Sequence, residues 1–383
     1  MVPLNQLIAP VQGRAGAAEL PVYSVTKRAG FVPSAQYFKK QVFSSDLSTY
    51  KVVDKGQFAY ATIHLDEGSI GIAPTRCVIS PMYTVFSTDE SRVSAEYLIR
   101  FLKSPRALAS YPRLGRGTAE RRKSISLDAL GRLEVPLPPL PEQRRIAAIL
   151  DEADALRSRA RAQLKSYDEV EDLAFVELVG CHLRDSHVAL GDLVEEFRYG
   201  TSAKSGSSGF PVLRIPNVTG RGLDLDGLKT VHLPDAEIDR LRLNERDVLF
   251  VRSNGNPDVV GRCSAFASLS KQVRQGADWV FASYLIRARL RPGIEPEAIA
   301  ALARSKFARG HLRRGAATSA GQYNINTTVL RSMPAFDPSN PGQFEFAQVA
   351  KSIASQRNRA LRRMASLDAL FASLQHRAFR GEL

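Results

Sequence analysis

The chain has 383 residues, 44% of them hydrophobic, with 53 Lys+Arg against 39 Asp+Glu and a formal net charge of +14. This length accommodates two independently folded cores. Cys77, Cys181 and Cys263 lie far apart with no CxxC pair, which argues against a disulfide framework or a zinc site and fits a reducing cytoplasm. No basic leader with an apolar run opens the chain, and no stretch approaches a membrane span.

Residues 1–137 carry 18 basic and 11 acidic side chains. They open on Val2-Pro-Leu4-Asn-Gln-Leu7, and Lys55-Gly-Gln-Phe58-Ala-Tyr60-Ala-Thr-Ile63 alternates apolar with polar residues, predicting a strand. A turn and Ile70-Gly71-Ile72 follow. Gly115-Arg116-Gly117 and Arg121-Arg122-Lys123 then form a basic, glycine-rich loop ahead of Ile125.

Residues 138–185 read as one long helix. Pro136, Pro138 and Pro139 form a stiff lead-in, and Pro141 with Glu142 suits a first helical turn. Ile146, Ile149, Ala153, Leu156 and Ala160 then step by 3 and 4, the seam of a coiled coil.

Residues 186–335 carry 21 basic and 14 acidic side chains and open on Val188-Ala-Leu190-Gly-Asp-Leu193. Arg246-Asp-Val248-Leu-Phe250-Val-Arg252 predicts a strand matching that at 55–63, followed by an Asn/Gly turn and Val260-Gly261-Arg262. The closing residues 336–383 form a second long helix with a seam of Val349, Ile353, Met364, Leu367, Phe371 and Leu374.

These segments amount to one unit written twice. Ile125-Ser-Leu-Asp-Ala-Leu130 returns as Ile325-Asn-Thr-Thr-Val-Leu330, and the same register aligns Gln143 with Gln343, Arg157 with Arg357 and Asp168 with Asp368. Both globular modules are net +7, while the helical segments are −3 and +3. Paired basic modules are the electrostatic footprint of a polyanion, most often nucleic acid. Opposite charge, similar length and common register favour packing of the two helices on each other, antiparallel because the chain passes through a second module between them.

Candidate DNA contacts follow from residue type. Arg252, Asn254, Asn256 and Arg262 flank a turn suited to base edges, Asn to adenine and Arg to guanine, although Asn-Gly turn chemistry alone also accounts for Asn254. Arg116, Arg121, Arg122 and Lys123 in one unit, and Arg313, Arg314, Gln322 and Asn324 in the other, occupy corresponding loops before the recurrent isoleucine. Arg198, Tyr199, Lys204, Arg214 and Asn217, with Lys27, Arg28, Lys39 and Lys40 in the first module, are secondary candidates for phosphate contacts.

Two helical motifs carry a family resemblance. Val135-Pro-Leu-Pro-Pro-Leu-Pro-Glu-Gln-Arg-Arg-Ile-Ala-Ala-Ile-Leu-Asp-Glu-Ala-Asp154 resembles the central conserved region of the DNA-specificity (S) subunits of type I restriction-modification enzymes. Leu370-Phe-Ala-Ser-Leu-Gln-His-Arg-Ala-Phe-Arg-Gly-Glu-Leu383 is similar to that family's terminal helix. The resemblance implies an α+β fold of two α/β target-recognition domains separated by an antiparallel coiled coil of two long helices. It implies double-stranded DNA and two methyltransferase (M) subunits as partners, with motor-nuclease (R) subunits as a further one. No cofactor is expected on this chain. S-adenosylmethionine is expected on the methyltransferase subunit, and ATP with magnesium on a motor subunit.

No catalytic motif stands out. Gly200-Thr-Ser-Ala-Lys204-Ser-Gly206 lacks phosphate-loop spacing, Asn256-Pro257-Asp258 lacks the aromatic motif of amino-methyltransferases, and the six histidines show no metal spacing. The expected protein is a non-catalytic targeting subunit of a prokaryotic cytoplasmic complex. Two alternatives stay open: an enzyme, such as a fused methyltransferase or nuclease, with an unrecognised motif, and a coiled-coil adaptor for acidic proteins.

Overall fold

A computed structural model describes residues 1–38, 40–115, 124–180, 183, 186–269, 273, 276–319 and 321–383. By packing, the chain divides into Met1–Ala160 with Met364–Leu383, and Arg161–Arg363. The elements repeat between these units in the same order. The principal helices are α1 (Ala95–Leu102), α2 (Pro105–Leu114), α3 (Leu127–Leu130) and α4 (Leu140–Leu178), then α5 (Pro296–Arg304), α6 (Lys306–Gly315), α7 (Thr327–Arg331) and α8 (Gly342–Ala378).

Each unit holds an antiparallel four-stranded sheet. Strands β1 (Ile8–Pro10), β2 (Phe58–Ala61), β3 (Ile70–Ile72) and β4 (Tyr83–Thr88) lie in the order β1-β4-β2-β3. Strands β5 (Val194–Tyr199), β6 (Asp247–Val251), β7 (Cys263–Ala265) and β8 (Leu285–Leu290) lie in the equivalent order β5-β8-β6-β7. The strands predicted over 55–63 and 246–252 form at 58–61 and 247–251, are the corresponding inner strands, and are buried on both faces. Phe58 and Tyr60 face a core closed by helices, and Ala59 faces a second core with Val53 and Ile79. Val248 and Phe250 are divided from Leu249 and Val251 in the same way. The one charge inside β6, Asp247, is fully buried and takes two 2.9 Å hydrogen bonds from Arg289.

One expected correspondence shifts by three residues. The strand matching Ile70–Ile72 is Cys263–Ala265, whereas Val260-Gly261-Arg262 forms the turn before it. Gly261 takes φ +74°, and a Cβ there would stand 2.8 Å from Leu312 Cδ1, so this backbone folds back against α6 and cannot extend into a ladder.

Two helix starts in each unit are set locally in the same way. Ser104 Oγ accepts from the Ala107 N–H and Ser305 Oγ from the Ala308 N–H. Ser126 does the same for α3, as Asn326 does for α7. The module ends are also matched: the Leu4 N–H donates to Leu133 O at 2.9 Å, and the Leu190 N–H to Met333 O at 2.7 Å. The Val-x-Leu-x-x-Leu openings therefore lie beside the segments that lead into the long helices.

The long helices span 39 and 37 residues. At 1.5 Å per residue each is roughly 55–60 Å long. Burial along them repeats at the sequence register: Gln143, Ile146, Ala147, Leu150, Ala153 and Ala160 are buried, and so are Gln343, Phe346, Ala347, Ala350, Ile353 and Ala360. Within the first unit, Arg157 pairs with Asp368 and Arg145 reaches the carbonyl of Leu383, so the helices run antiparallel. Within the second, Phe175 meets Phe346 edge-on at 5.4 Å, and a Cβ at Gly342 would fall 2.0 Å from Leu178 O. That approach admits only glycine and is again antiparallel.

The predicted seam residues Ile146, Ala153 and Ile353 are buried. Ile149, Leu156, Val349, Met364, Leu367, Phe371 and Leu374 are half-buried. The first turns carry a stronger device than the seam. Gln143 and Gln343 are fully buried, and their Oε1 atoms accept from the backbone N–H of Ser94 at 2.9 Å and of Glu295 at 3.1 Å. Each glutamine satisfies an unpaired donor at the start of α1 or α5 and fastens its long helix to that module.

Candidate nucleic-acid interface

In the second unit, two loops separate in sequence join in one small sheet. Ser253 pairs with Asn324 and Asn254 with Tyr323, and Gln322–Asn324 pairs on its other side with Ala317–Ser319. The recurrent isoleucine anchors it: the Ile325 N–H donates to Arg252 O at 2.9 Å, as the Ile125 N–H donates to Thr62 O at 2.9 Å in the first unit. Arg252, Asn254, Gln322 and Asn324 are thereby brought together, with Tyr199 beside them. The Arg252 guanidinium lies 4.8 Å from the Tyr199 ring centroid, and the Tyr199 hydroxyl accepts from the Thr327 N–H at 3.4 Å.

The turn that follows is held from inside. Asn254 Oδ1 accepts from the Asn256 N–H and Asn256 Oδ1 from the Asp258 N–H, both at 2.9 Å, which are successive Asx turns. Arg309 reaches under the turn to Val260 O at 2.7 Å and to the carbonyls of Pro257 and Asp258 at 3.2 Å. Arg262 donates to Asp258 O, and Arg313 pairs with the Asp258 carboxylate. The hydrogen bond and charge of Arg313 hold the Asp258 carboxyl below the usual carboxylate range. Arg262 and Arg313 are exposed on this face, and Arg314 is exposed next to them.

Other candidates are committed to the fold. Asn217 is fully buried, with Oδ1 accepting from the Arg214 N–H at 2.8 Å and Nδ2 donating to Asp224 O at 2.8 Å, so it leaves the set of surface contacts. Arg214 itself donates to Gly227 O at 2.9 Å. Arg198 pairs with Glu196, which also pairs with the buried Arg287. Lys204 is exposed. In the first unit Lys27 is exposed and forms a 3.2 Å ion pair with Glu67, and Lys40 is exposed. Lys39, Arg116, Arg121, Arg122 and Lys123 lie outside the described residues.

Two clefts accompany these edges. One of about 380 Å³ in the first unit is walled by Tyr23, Phe38, Phe43, Tyr50 and Tyr83 and by Thr62–His64, the segment equivalent to Arg252–Asn254. The other, about 1120 Å³ in the second unit, is lined by six arginines, among them Arg221, Arg304 and Arg357. These three are engaged: Arg221 with Asp168, Glu171 and Asp172 at 3.0, 3.4 and 2.7 Å, Arg304 with Glu171, and Arg357 with Asp168 at 3.5 Å. They brace the module against the long helices. In the first unit Arg100 does the same with Asp151 at 2.6 Å and Asp154 at 3.0 Å.

Among the described residues no group of three His, Cys, Asp or Glu side chains could hold a metal ion, and no helix is long and apolar enough to cross a membrane. A repeated frame of sheet and long helix thus carries edges that differ between the copies, Thr62-Ile-His64 in one and Arg252-Ser-Asn254 in the other. Comparison with known proteins specifies the class. Residues 28–166 match the family model of the type I restriction modification DNA specificity domain. The type I restriction enzyme EcoKI specificity subunit of Escherichia coli (strain K12) is 28% identical over 276 residues, covering 66% of this chain and 58% of that protein. The StySPI specificity subunit of Salmonella potsdam is 27% identical over 320 residues, covering 77% and 66%. The chain thus spans roughly three fifths of the length of these relatives. It is similar to type I restriction-modification DNA specificity subunits, and its residues 28–166 match their family model.

Solved structures agree at the level of fold. A chain from a structure of a type I R-M system aligns with TM-score 0.53 at 16% identity, covering 100% of this chain and 97% of that one. The S subunit of the type I system from M. genitalium aligns with TM-score 0.58 at 14% identity, covering 98% and 95%. The α+β architecture with two long helices is shared.

Proposed function

We propose that this chain is a non-catalytic subunit that reads double-stranded DNA, each module contacting one half of a bipartite site. The helix pair sets the gap between the halves and is the docking surface for two methyltransferase subunits. S-adenosylmethionine then resides on those subunits, ATP and magnesium on a motor-nuclease subunit where one joins, and the assembly works in the prokaryotic cytoplasm. The observation that carries this reading is the contrast between frame and edge. Gln143 and Gln343, Ser104 and Ser305, and Arg157 and Arg357 repeat, whereas the edge reads Thr62-Ile-His64 in one unit and Arg252-Ser-Asn254 in the other. Conserving the frame while changing the edge is what two different half-sites require.

Sequencing methylated bases in source cells with and without the gene tests it. One bipartite motif, lost on deletion, is the expected result. Methyl transfer or cleavage by the purified chain alone would contradict it.

A further inference from the structure

Two arginines of the second unit stand apart from the rest. Phe197 and Tyr199 lie two residues apart on β5, so their side chains share a face, about 7 Å from one another. The Arg252 guanidinium lies 4.8 Å from the Tyr199 centroid, and that of Arg331 lies 4.9 Å from the Phe197 centroid. Elsewhere on this sheet guanidinium groups are spent on carboxylates: Arg198 and Arg287 on Glu196, Arg246 on Glu195, Arg289 on Asp247. Among the described residues neither Arg252 nor Arg331 has a carboxylate or carbonyl partner for its side chain.

Both are nevertheless fixed in place. The Arg252 N–H donates to Tyr284 O at 2.8 Å and its carbonyl accepts from Ile325. Arg331 closes α7, whose first N–H, on Thr327, is held by the Tyr199 hydroxyl. A guanidinium laid on a ring keeps its donor edge free while losing rotamer freedom in advance, so less entropy is lost when an anion or base edge binds. The repeat shows that the frame does not need this device: in ladder register the first unit has Pro10 where the second has Phe197 and Gln12 for Tyr199, and in sequence register it has Gly131 for Arg331.

We propose that Arg252 and Arg331 are the preorganised DNA-contacting arginines of the second half-site, Arg252 reading a guanine edge beside Asn254 and Arg331 gripping a phosphate. This rests on the DNA-reading function proposed above. Its test uses the full chain assembled with its methyltransferase subunits, duplex binding at several salt concentrations, and sequencing of methylated sites. R331A should weaken binding to all sequences alike and lower the salt slope by about one. R252K, which keeps the charge, should retain the slope but lose roughly tenfold to hundredfold discrimination at one position of one half-site. The other half-site should not change in either variant. Salt-dependent wild-type binding with unaltered slope and motif in both variants would overturn this inference and leave the function standing. A wild-type complex without duplex affinity would overturn both.

Discussion

Arg157 donates from Nε to Asp368 Oδ1 at 2.6 Å, and its repeat partner Arg357 lies 3.5 Å from Asp168, the repeat partner of Asp368. The residues that sequence register aligns as equivalents thus make equivalent pairs, one within each unit. Arg157 is only 19% exposed, also binds Asp154 at 3.0 Å, and lies 4.3 Å from the Phe371 centroid. R157A should cost about 2 kcal/mol, and a double-mutant cycle with D368A should show coupling of about 1 kcal/mol. Additive losses in denaturant unfolding would mean that the pair is incidental.

The buried glutamines should matter more than most seam residues. Q143L leaves the Ser94 N–H and the carbonyls of Arg92 and Pro138 without their partner, and should destabilise by about 2–3 kcal/mol. I146D, at a buried site, should cost several kcal/mol, and I149D, half-buried, clearly less. Equal melting shifts for the two aspartates would contradict the burial pattern.

Glu196 sets an acid dependence. The hydrogen bond from Arg198 and the charge of Arg287 lower its pKa against the opposing effect of burial. A depressed carboxyl contributes stability that is complete above its unfolded value and lost as pH falls through the folded one. E196Q, which leaves the buried Arg287 poorly paired, should cost about 3 kcal/mol at neutral pH. Unfolding measured from pH 7 down to about 3 should show the gap to wild type narrowing only below the ordinary glutamate value of 4.5. A constant gap would show that the charge of Glu196 is not what matters.

Two thiols should be inert in the folded protein. Burial pushes Cys77 up to about 11 and Cys263 up to about 12. At pH 8 the thiolate fraction at either is then about one in a thousand or less. Iodoacetamide followed by peptide mapping should leave both unmodified until denaturant is added, and rapid native labelling would contradict the described packing.

Because chain entry and exit lie side by side in each module, residues 186–335 should be exchangeable for the same region of a related protein without loss of folding. Methylated-base sequencing should then report one old half-site, one new one and the same gap. Lengthening both long helices by two heptads, about 21 Å, should widen only the gap. A hybrid altered at both halves would point instead to a single composite surface.

What the sequence by itself determined is everything that depends on local spacing. The register of 200 residues, the inner strands at 58–61 and 247–251, and the start of α4 just after its prolines are all legible because caps, breakers and periodicity act within a few residues. Even the burial of Gln143 and Gln343 is foreshadowed by their recurrence, although glutamine on a charged helix reads as surface. Compact units are decided differently. Segments drawn at 137, 185 and 335 follow changes of composition, whereas packing joins Met364–Leu383 to Met1–Ala160. An antiparallel helix meets partners hundreds of residues away, which no local window contains. The arginines show the same limit. Arg252 and Arg313 are alike as sequence, and Arg331 drew no notice, yet the aromatic ring or carboxylate that each meets comes from a distant strand or turn. Tertiary structure alone therefore decided which charges are consumed by the fold and which are left facing outward, because a guanidinium's availability depends on its neighbours in space.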